Sequence, residues 1–217
     1  MLFRSLADVG VSGAGKRYLI QHSAGSGKSN SIAWLAHQLI GLQKSDAGVF
    51  DSIIVITDRR ILDQQIRDTI KQFAQVGATV GHAEHSGDLR RFIESGKKII
   101  ISTVQKFPFI LDEIGSENRT RKFAIIIDEA HSSQGGKTST AVSQALSNAA
   151  DVDEEETNED KINHAMDSRK LLANASYFAF TATPKNKTLE IFGDPFPGPD
   201  GKVAHRPFHS YTMEQAI

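Results

Sequence analysis

The chain has 217 residues, 39% of them hydrophobic and 7% aromatic, which suits one compact domain able to bury its own core. It contains no cysteine, so disulfides and thiolate metal sites are excluded, and a reducing compartment, by default the cytoplasm, is expected. With 25 Lys and Arg against 26 Asp and Glu, composition gives no global sign of a nucleic-acid partner, and any such contact has to come from a local surface. No apolar run approaches the roughly 20 residues that span a bilayer, and no signal-peptide core follows Met1-Leu2-Phe3-Arg4, so no membrane partner is expected.

The first predicted element is a short strand at 18–20, Tyr18-Leu19-Ile20. A helix over 29–42 follows, with Ile32, Leu35, Ala36 and Leu39 at helical spacing. Ile53-Ile54-Val55-Ile56 is a continuous apolar run, as in a strand buried on both faces. The pattern then predicts a helix over 61–73, strands at 98–102 and 123–128, a helix over 139–150 and a last strand at 177–181. This alternation predicts a three-layer α/β/α fold, a mostly parallel sheet with helices on both faces, whose ligands bind beyond the carboxyl ends of the strands. Two segments break the rhythm. The acidic run 151–160 (DVDEEETNED), within an insertion over 151–167, reads as a solvated loop, with a cation or partner site as the alternative. The Gly- and Pro-rich stretch 193–202 opens an irregular tail over 193–217. No repeat and no second core is visible, so 1–217 reads as a single domain.

His22-Ser23-Ala24-Gly25-Ser26-Gly27-Lys28-Ser29 stands between the first strand and the first helix, the context a phosphate-binding P-loop requires. Gly25 and Gly27 allow a tight turn, so that backbone N–H groups, Ser26 among them, face phosphates at the positive end of the helix. Lys28 is expected to reach the β- and γ-phosphates of ATP, and Ser29 to offer its hydroxyl to Mg²⁺. The strict pattern has Gly where His22 stands. A second cluster at 10–16 (GVSGAGK) lacks a preceding strand and a following Ser or Thr, and reads as a loop.

Asp128 ends the hydrophobic run 123–128 and Glu129 follows it. Asp128 is the expected Mg²⁺ partner, and Glu129 the expected general base or water-orienting group for attack on the γ-phosphate. Lys28 and Asp128 are expected to meet across adjoining strand tips. An Asp-Glu pair after a strand also suits a helix N-terminus by charge alone.

Lys28-Ser29, Asp128-Glu129-Ala130-His131 and Thr181-Ala182-Thr183 together resemble motifs I, II and III of superfamily 2 helicases and translocases. The resemblance is closer to the motor subunit of type I restriction enzymes, and it runs from about residue 18 to the end. It is carried by His22, by Thr57-Asp58-Arg59-Arg60-Ile61-Leu62-Asp63-Gln64-Gln65 and by Ser102-Thr103-Val104-Gln105-Lys106-Phe107. Phe180-Thr181-Ala182-Thr183-Pro184 and Tyr211-Thr212-Met213-Glu214-Gln215-Ala216-Ile217 extend it. It implies a RecA-like P-loop ATPase fold, with ATP and Mg²⁺ as cofactors. It further implies His131, Thr181 and Thr183 as groups coupling nucleotide to DNA, and Arg59, Thr103 and Gln105 as contacts to the double-stranded DNA backbone. Asp58-Arg59 as a helix cap with a surface charge, and Thr103 as an N-cap, are the alternatives.

The same resemblance implies a partner RecA-like domain supplying arginines to the transferring phosphoryl group, so the chain reads as the first half of a two-domain motor. Modification and specificity subunits are the implied partners. No adenine-contacting glutamine segment is recognised upstream of 22. A nuclease-like acid–x–Lys signature fits formally at Asp194 with Asp200-Gly201-Lys202, but in a loop without flanking strands, and no DNA cleavage is expected. Two rival readings stand: another superfamily 2 helicase acting on DNA or RNA, and a non-hydrolysing, nucleotide-gated interaction module.

Overall fold

The computed structural model describes residues 2–23, 27–57, 80–83, 86–116, 118–128, 162–163, 165–166, 172–198 and 201–211. The predicted helices over 61–73 and 139–150 lie outside these residues, as do Gly25, Ser26, Arg59, Glu129, His131, the acidic run 151–160 and the 212–217 segment.

The chain opens with α1 (Leu2–Ser12), β1 (Arg17–His22) and α2 (Lys28–Gly41), then a small hairpin of β2 (Gln43–Lys44) and β3 (Ala47–Gly48). The core strand β4 (Ser52–Thr57), the short β5 (Val80–His82), α3 (Ser86–Glu94) and β6 (Ile99–Thr103) follow. A single 3₁₀ turn (Val104–Lys106) leads into α4 (Phe107–Ser116), where Pro108 occupies the first turn, a place whose N–H has no intrahelical acceptor. Next come β7 (Phe123–Asp128), β8 (Ala175–Thr181), α5 (Asn186–Phe192), β9 (Asp194–Pro197), β10 (Val203–Arg206) and β11 (His209–Tyr211).

Seven strands form one sheet in the order β11-β1-β8-β7-β4-β6-β5, and every pairing in it is parallel. This is the three-layer α/β architecture that alternating strand and helix patterns predict. The central strands are buried along their whole length, which explains why Ile53–Ile56 and Ile125–Ile127 read as unbroken apolar runs. Alternation along each strand splits the core in two. Tyr18, Ile20, Ile53, Val55, Ala124, Ile126, Phe178 and Phe180 pack with α1 and α2; the predicted stripe Ile32, Leu35, Ala36 and Leu39 is the buried face of α2. Leu19, Ile54, Ile56, Ile125, Ile127 and Ala179 pack on the opposite face with α3, α4 and α5. Each of the Val, Leu, Ile and Phe side chains among them contributes roughly 1.5–3 kcal/mol when fully buried, so the sheet is held rigidly where its strand ends must present chemistry.

Four expectations need correction. Residues 193–202 are not an irregular loop: β9 and β10 pair antiparallel, with Pro195 opposite His205 and Pro197 opposite Val203. A two-stranded ribbon has open edges and tolerates prolines that a central strand excludes. The tail also returns to the main sheet, since β11 pairs with β1. The 151–167 insertion is not solvated throughout: Ile162, Ala165 and Met166 belong to the core, and the buried Asn163 donates from Nδ2 to Thr188 Oγ1 at 3.1 Å. The glycine cluster at 10–16 is only half a loop, because Gly10 to Ser12 end α1. Gly13 (φ 82°) and Gly15 (φ 109°) make the turn into β1, and a Cβ on Gly15 would stand 2.9 Å from the Ala173 carbonyl oxygen. Among the described residues, no helix is long and apolar enough to cross a membrane.

Candidate active site

Because the sheet is parallel, the last residues of five strands line one edge: His22 on β1, Thr181 on β8, Asp128 on β7, Thr57 on β4 and Thr103 on β6. Every described motif residue falls at this edge or just beyond it.

The phosphate cradle is built from β1 and α2. Gly27 is left-handed (φ 82°, ψ 28°) and forms the N-cap of α2. Among the described residues no side chain caps that helix start and no acidic residue sits in its first turn, an arrangement that suits an anion at its positive end. Lys28 stands at the positive end of the helix, against the dipole's preference. A buried partner offsets this: Lys28 Nζ lies 2.9 Å from Oδ1 of Asp128, with the lysine side chain 21% exposed and the aspartate 0%. Asp128 lies on the face of β7 that carries Ile126 toward α2, which aims it at Lys28. The two strands are not adjoining as expected: β8 runs between β1 and β7, and the long lysine side chain bridges the gap. Ser29 is half-buried on the first turn of α2.

His22 is buried, with Nε2 3.2 Å from Ser31 Oγ and Nδ1 3.5 Å from the Ser23 carbonyl oxygen. Its ring lies 5.1 Å from that of Tyr211 and 6.3 Å from that of Phe180. Burial pushes the His22 pKa below its ordinary value, and the positive charge of Lys28 adds in the same direction. A neutral imidazole thus replaces the glycine of the strict pattern and braces the cradle rather than adding charge to it.

Thr181 is buried at the end of β8, while Thr183 is exposed beyond it. Gln21, one residue before His22, donates from Nε2 to the carbonyl of Ala182 at 3.3 Å and accepts from Ser210 Oγ at 3.2 Å. The Ser23 N–H donates to the Tyr211 carbonyl at 3.2 Å. The loop after β8, the cradle and β11 are therefore joined. Gln21, Ser31 and Ser210 were not singled out from sequence, because nothing local marks a cross-strand amide bridge.

Thr103 occupies the N-cap position of the 3₁₀ turn, as the alternative reading has it, but its side chain makes no capping hydrogen bond. Gln105 is exposed on that turn, and Lys106 Nζ donates to the Ala83 carbonyl at 2.7 Å. Asp194 does stand on a strand, contrary to expectation. It faces Arg206 at the base of the β9–β10 hairpin, whereas Lys202 lies beyond Val203 at its tip, about 13 Å away at strand spacing. The acid–x–Lys pattern therefore does not converge.

The oxygen donors at the edge, the Ser29 hydroxyl and the buried Asp128 carboxylate, suit a small hard cation shared with phosphates. A parallel sheet with a glycine-capped helix start, a lysine at its mouth and a buried carboxylate on a nearby strand defines a P-loop nucleotide-binding protein.

The SWI2/SNF2 ATPase family model matches residues 5–217, and the chain belongs to that family. It is 30% identical over 187 residues to the type I restriction enzyme HindI endonuclease subunit of Haemophilus influenzae, covering 79% of this chain and 16% of that one. It is 25% identical over 215 residues to the type I restriction enzyme SauMSSORF170P endonuclease subunit of Staphylococcus aureus, covering 94% of this chain and 18% of the relative. The chain thus spans less than a fifth of the length of the curated relatives it matches.

Proposed function

We propose that this domain binds and hydrolyses ATP with Mg²⁺ as the first half of a motor that translocates double-stranded DNA, within the restriction subunit of a type I restriction system. The observation that carries the reading is the Lys28–Asp128 contact at 2.9 Å, made between a helix start and a strand end separated by a third strand. The two groups that a triphosphate and its cation need are already together, and each neutralises the other until nucleotide arrives.

In this reading the backbone of 25–27, Ser26 included, wraps the phosphates, and Lys28 turns from Asp128 to the β- and γ-phosphates. Ser29 and Asp128 hold Mg²⁺, which when bound neutralises charge developing on the phosphoryl oxygens. Glu129, the next residue after Asp128, orients or deprotonates the attacking water. His131, Thr181 and Thr183 relay the nucleotide state to the DNA-facing edge, where Arg59, Thr103 and Gln105 contact the phosphate backbone without reading sequence. Two features support that edge as the relay: the buried hydroxyl of Thr181 and the Gln21 bridge to Ala182. A second RecA-like domain supplies the arginines that complete the site, and the modification and specificity subunits choose where the motor acts.

The test is ATP hydrolysis by the full chain joined to a second RecA-like domain, with duplex DNA, single strands or RNA added. Stimulation by duplex DNA above the other two is expected. Stimulation by RNA or single strands alone would make it another helicase, and no turnover under any condition would make it a nucleotide-gated module.

A further inference from the structure

Thr57 closes β4 in full burial, at 0% exposure, yet among the described residues its Oγ1 has no hydrogen-bond partner. A valine has nearly the same shape and would avoid leaving a hydroxyl unpaired in the interior, so a threonine there calls for a reason. The ladder supplies one. Ile56 pairs with Ile127, so Thr57 stands one step beyond on β4 just as Asp128 does on β7. Val55 and Ile126 both point to the α2 side of the sheet, and by alternation Thr57 and Asp128 follow on that side. Neighbouring strands lie about 4.8 Å apart, which puts the hydroxyl within reach of the carboxylate by rotation about χ1. Ser102 and Thr181 also carry buried hydroxyls without a partner, but their alternation places them on the opposite side, with Ile100 and Ala179. Among the described residues, only Thr57 combines an unused hydroxyl with the position beside Asp128.

We propose that Thr57 is a positioning residue for Asp128, its hydroxyl taking hold of the carboxylate when Lys28 leaves it for a triphosphate. This rests on the assignment of Lys28 and Asp128 to the phosphate and the cation. With Lys28 turned away, the ammonium no longer faces Asp128 in a place water does not reach, and an O–H donor fixes which oxygen faces the cation. Thr57 also immediately precedes Asp58-Arg59 in the chain.

The test compares Thr57→Val, Thr57→Ser and Ser102→Ala in the full chain. It measures the unfolding midpoint without ligand and the affinity for ADP with and without Mg²⁺. Thr57→Val is expected to keep or raise the midpoint, to weaken Mg²⁺–ADP binding roughly tenfold and to leave metal-free ADP binding within about twofold. Thr57→Ser restores the Mg²⁺-dependent affinity, and Ser102→Ala leaves it unchanged. Unaltered Mg²⁺–ADP binding in Thr57→Val, an equal loss without metal, or a lowered midpoint would each overturn the proposal. A wild-type chain that binds no ADP at all would instead refute the assignment of Lys28 and Asp128 on which it depends.

Discussion

Removing the Lys28 side chain should unsettle the nucleotide-free protein more than removing the charge of its partner. Lys28→Ala leaves the carboxylate of Asp128, 0% exposed, without the ammonium that stands 2.9 Å from it. Breaking a buried pair in this way costs about 3–5 kcal/mol, and the 21% exposure of Lys28 argues for the lower end. For a domain of this size about 3 kcal/mol corresponds to a fall of roughly 6–12 °C in the unfolding midpoint. Asp128→Asn keeps the shape, removes the buried charge and leaves an ammonium that can turn to water, so its cost is on the order of 1 kcal/mol. Combining the two should recover most of the Lys28→Ala loss, because the buried negative charge is gone. Saturating Mg²⁺–ATP adds about 2.7 kcal/mol to the wild type at a hundredfold excess over Kd, and should add nothing measurable to either variant. The assay is thermal and urea unfolding of all four proteins near neutral pH, with and without nucleotide. Equal losses for the two single variants, or a double variant no more stable than Lys28→Ala, would show that the buried charge of Asp128 does not depend on Lys28.

Gly27→Ala meets no atom within 4 Å of the new Cβ, so its penalty is the left-handed backbone (φ 82°), about 1 kcal/mol; because that residue launches α2, the nucleotide-induced rise in unfolding midpoint should shrink as well. His22 and His209 both have pKa values lowered first by burial, with Lys28 adding to the effect at His22 and Arg4 at His209. Below the ordinary histidine value near 6.5 the unfolded chain therefore binds more protons than the native one. The stability these groups contribute is present above that value and is lost as pH falls through the depressed native pKa, and His22→Gln should flatten the urea midpoint measured across this window. Gln21→Leu should leave the overall midpoint nearly unchanged but speed amide exchange in the 182–185 loop, since that loop loses its tie to β1 and β11. Unchanged exchange there would remove Gln21 from the relay.

Much of the fold was legible because its strands are extreme. Ile53 to Ile56 and Phe123 to Asp128 are buried on both faces, and only a parallel central strand asks for that composition. The α2 stripe was equally plain. The β9–β10 hairpin was not: Pro195, Pro197 and Gly198 spell a loop in any local reading, and only the ribbon's open edges permit them. The β2–β3 hairpin was hidden too, because Ser45 (φ 51°) and Asp46 (φ 63°) take left-handed turn positions usually marked by glycine or asparagine. At the site, Lys28, Ser29 and Asp128 could be named from spacing, since strand–glycine–helix is a local pattern. That Lys28 reaches Asp128 over an intervening strand depends on strand order, which no local pattern carries. The burial of Ile162 and Met166 beside an acidic run was obscured by the charges preceding them.

The most direct measurement is a crystal structure of the chain with Mg²⁺ and a non-hydrolysable ATP analogue. The 2.9 Å contact between Lys28 and Asp128 is expected to be gone in it, with the ammonium on the β- and γ-phosphates and Asp128 turned to the cation. An analogue bound elsewhere, or one bound at the α2 start with Lys28 still on Asp128, would contradict that assignment of the two residues.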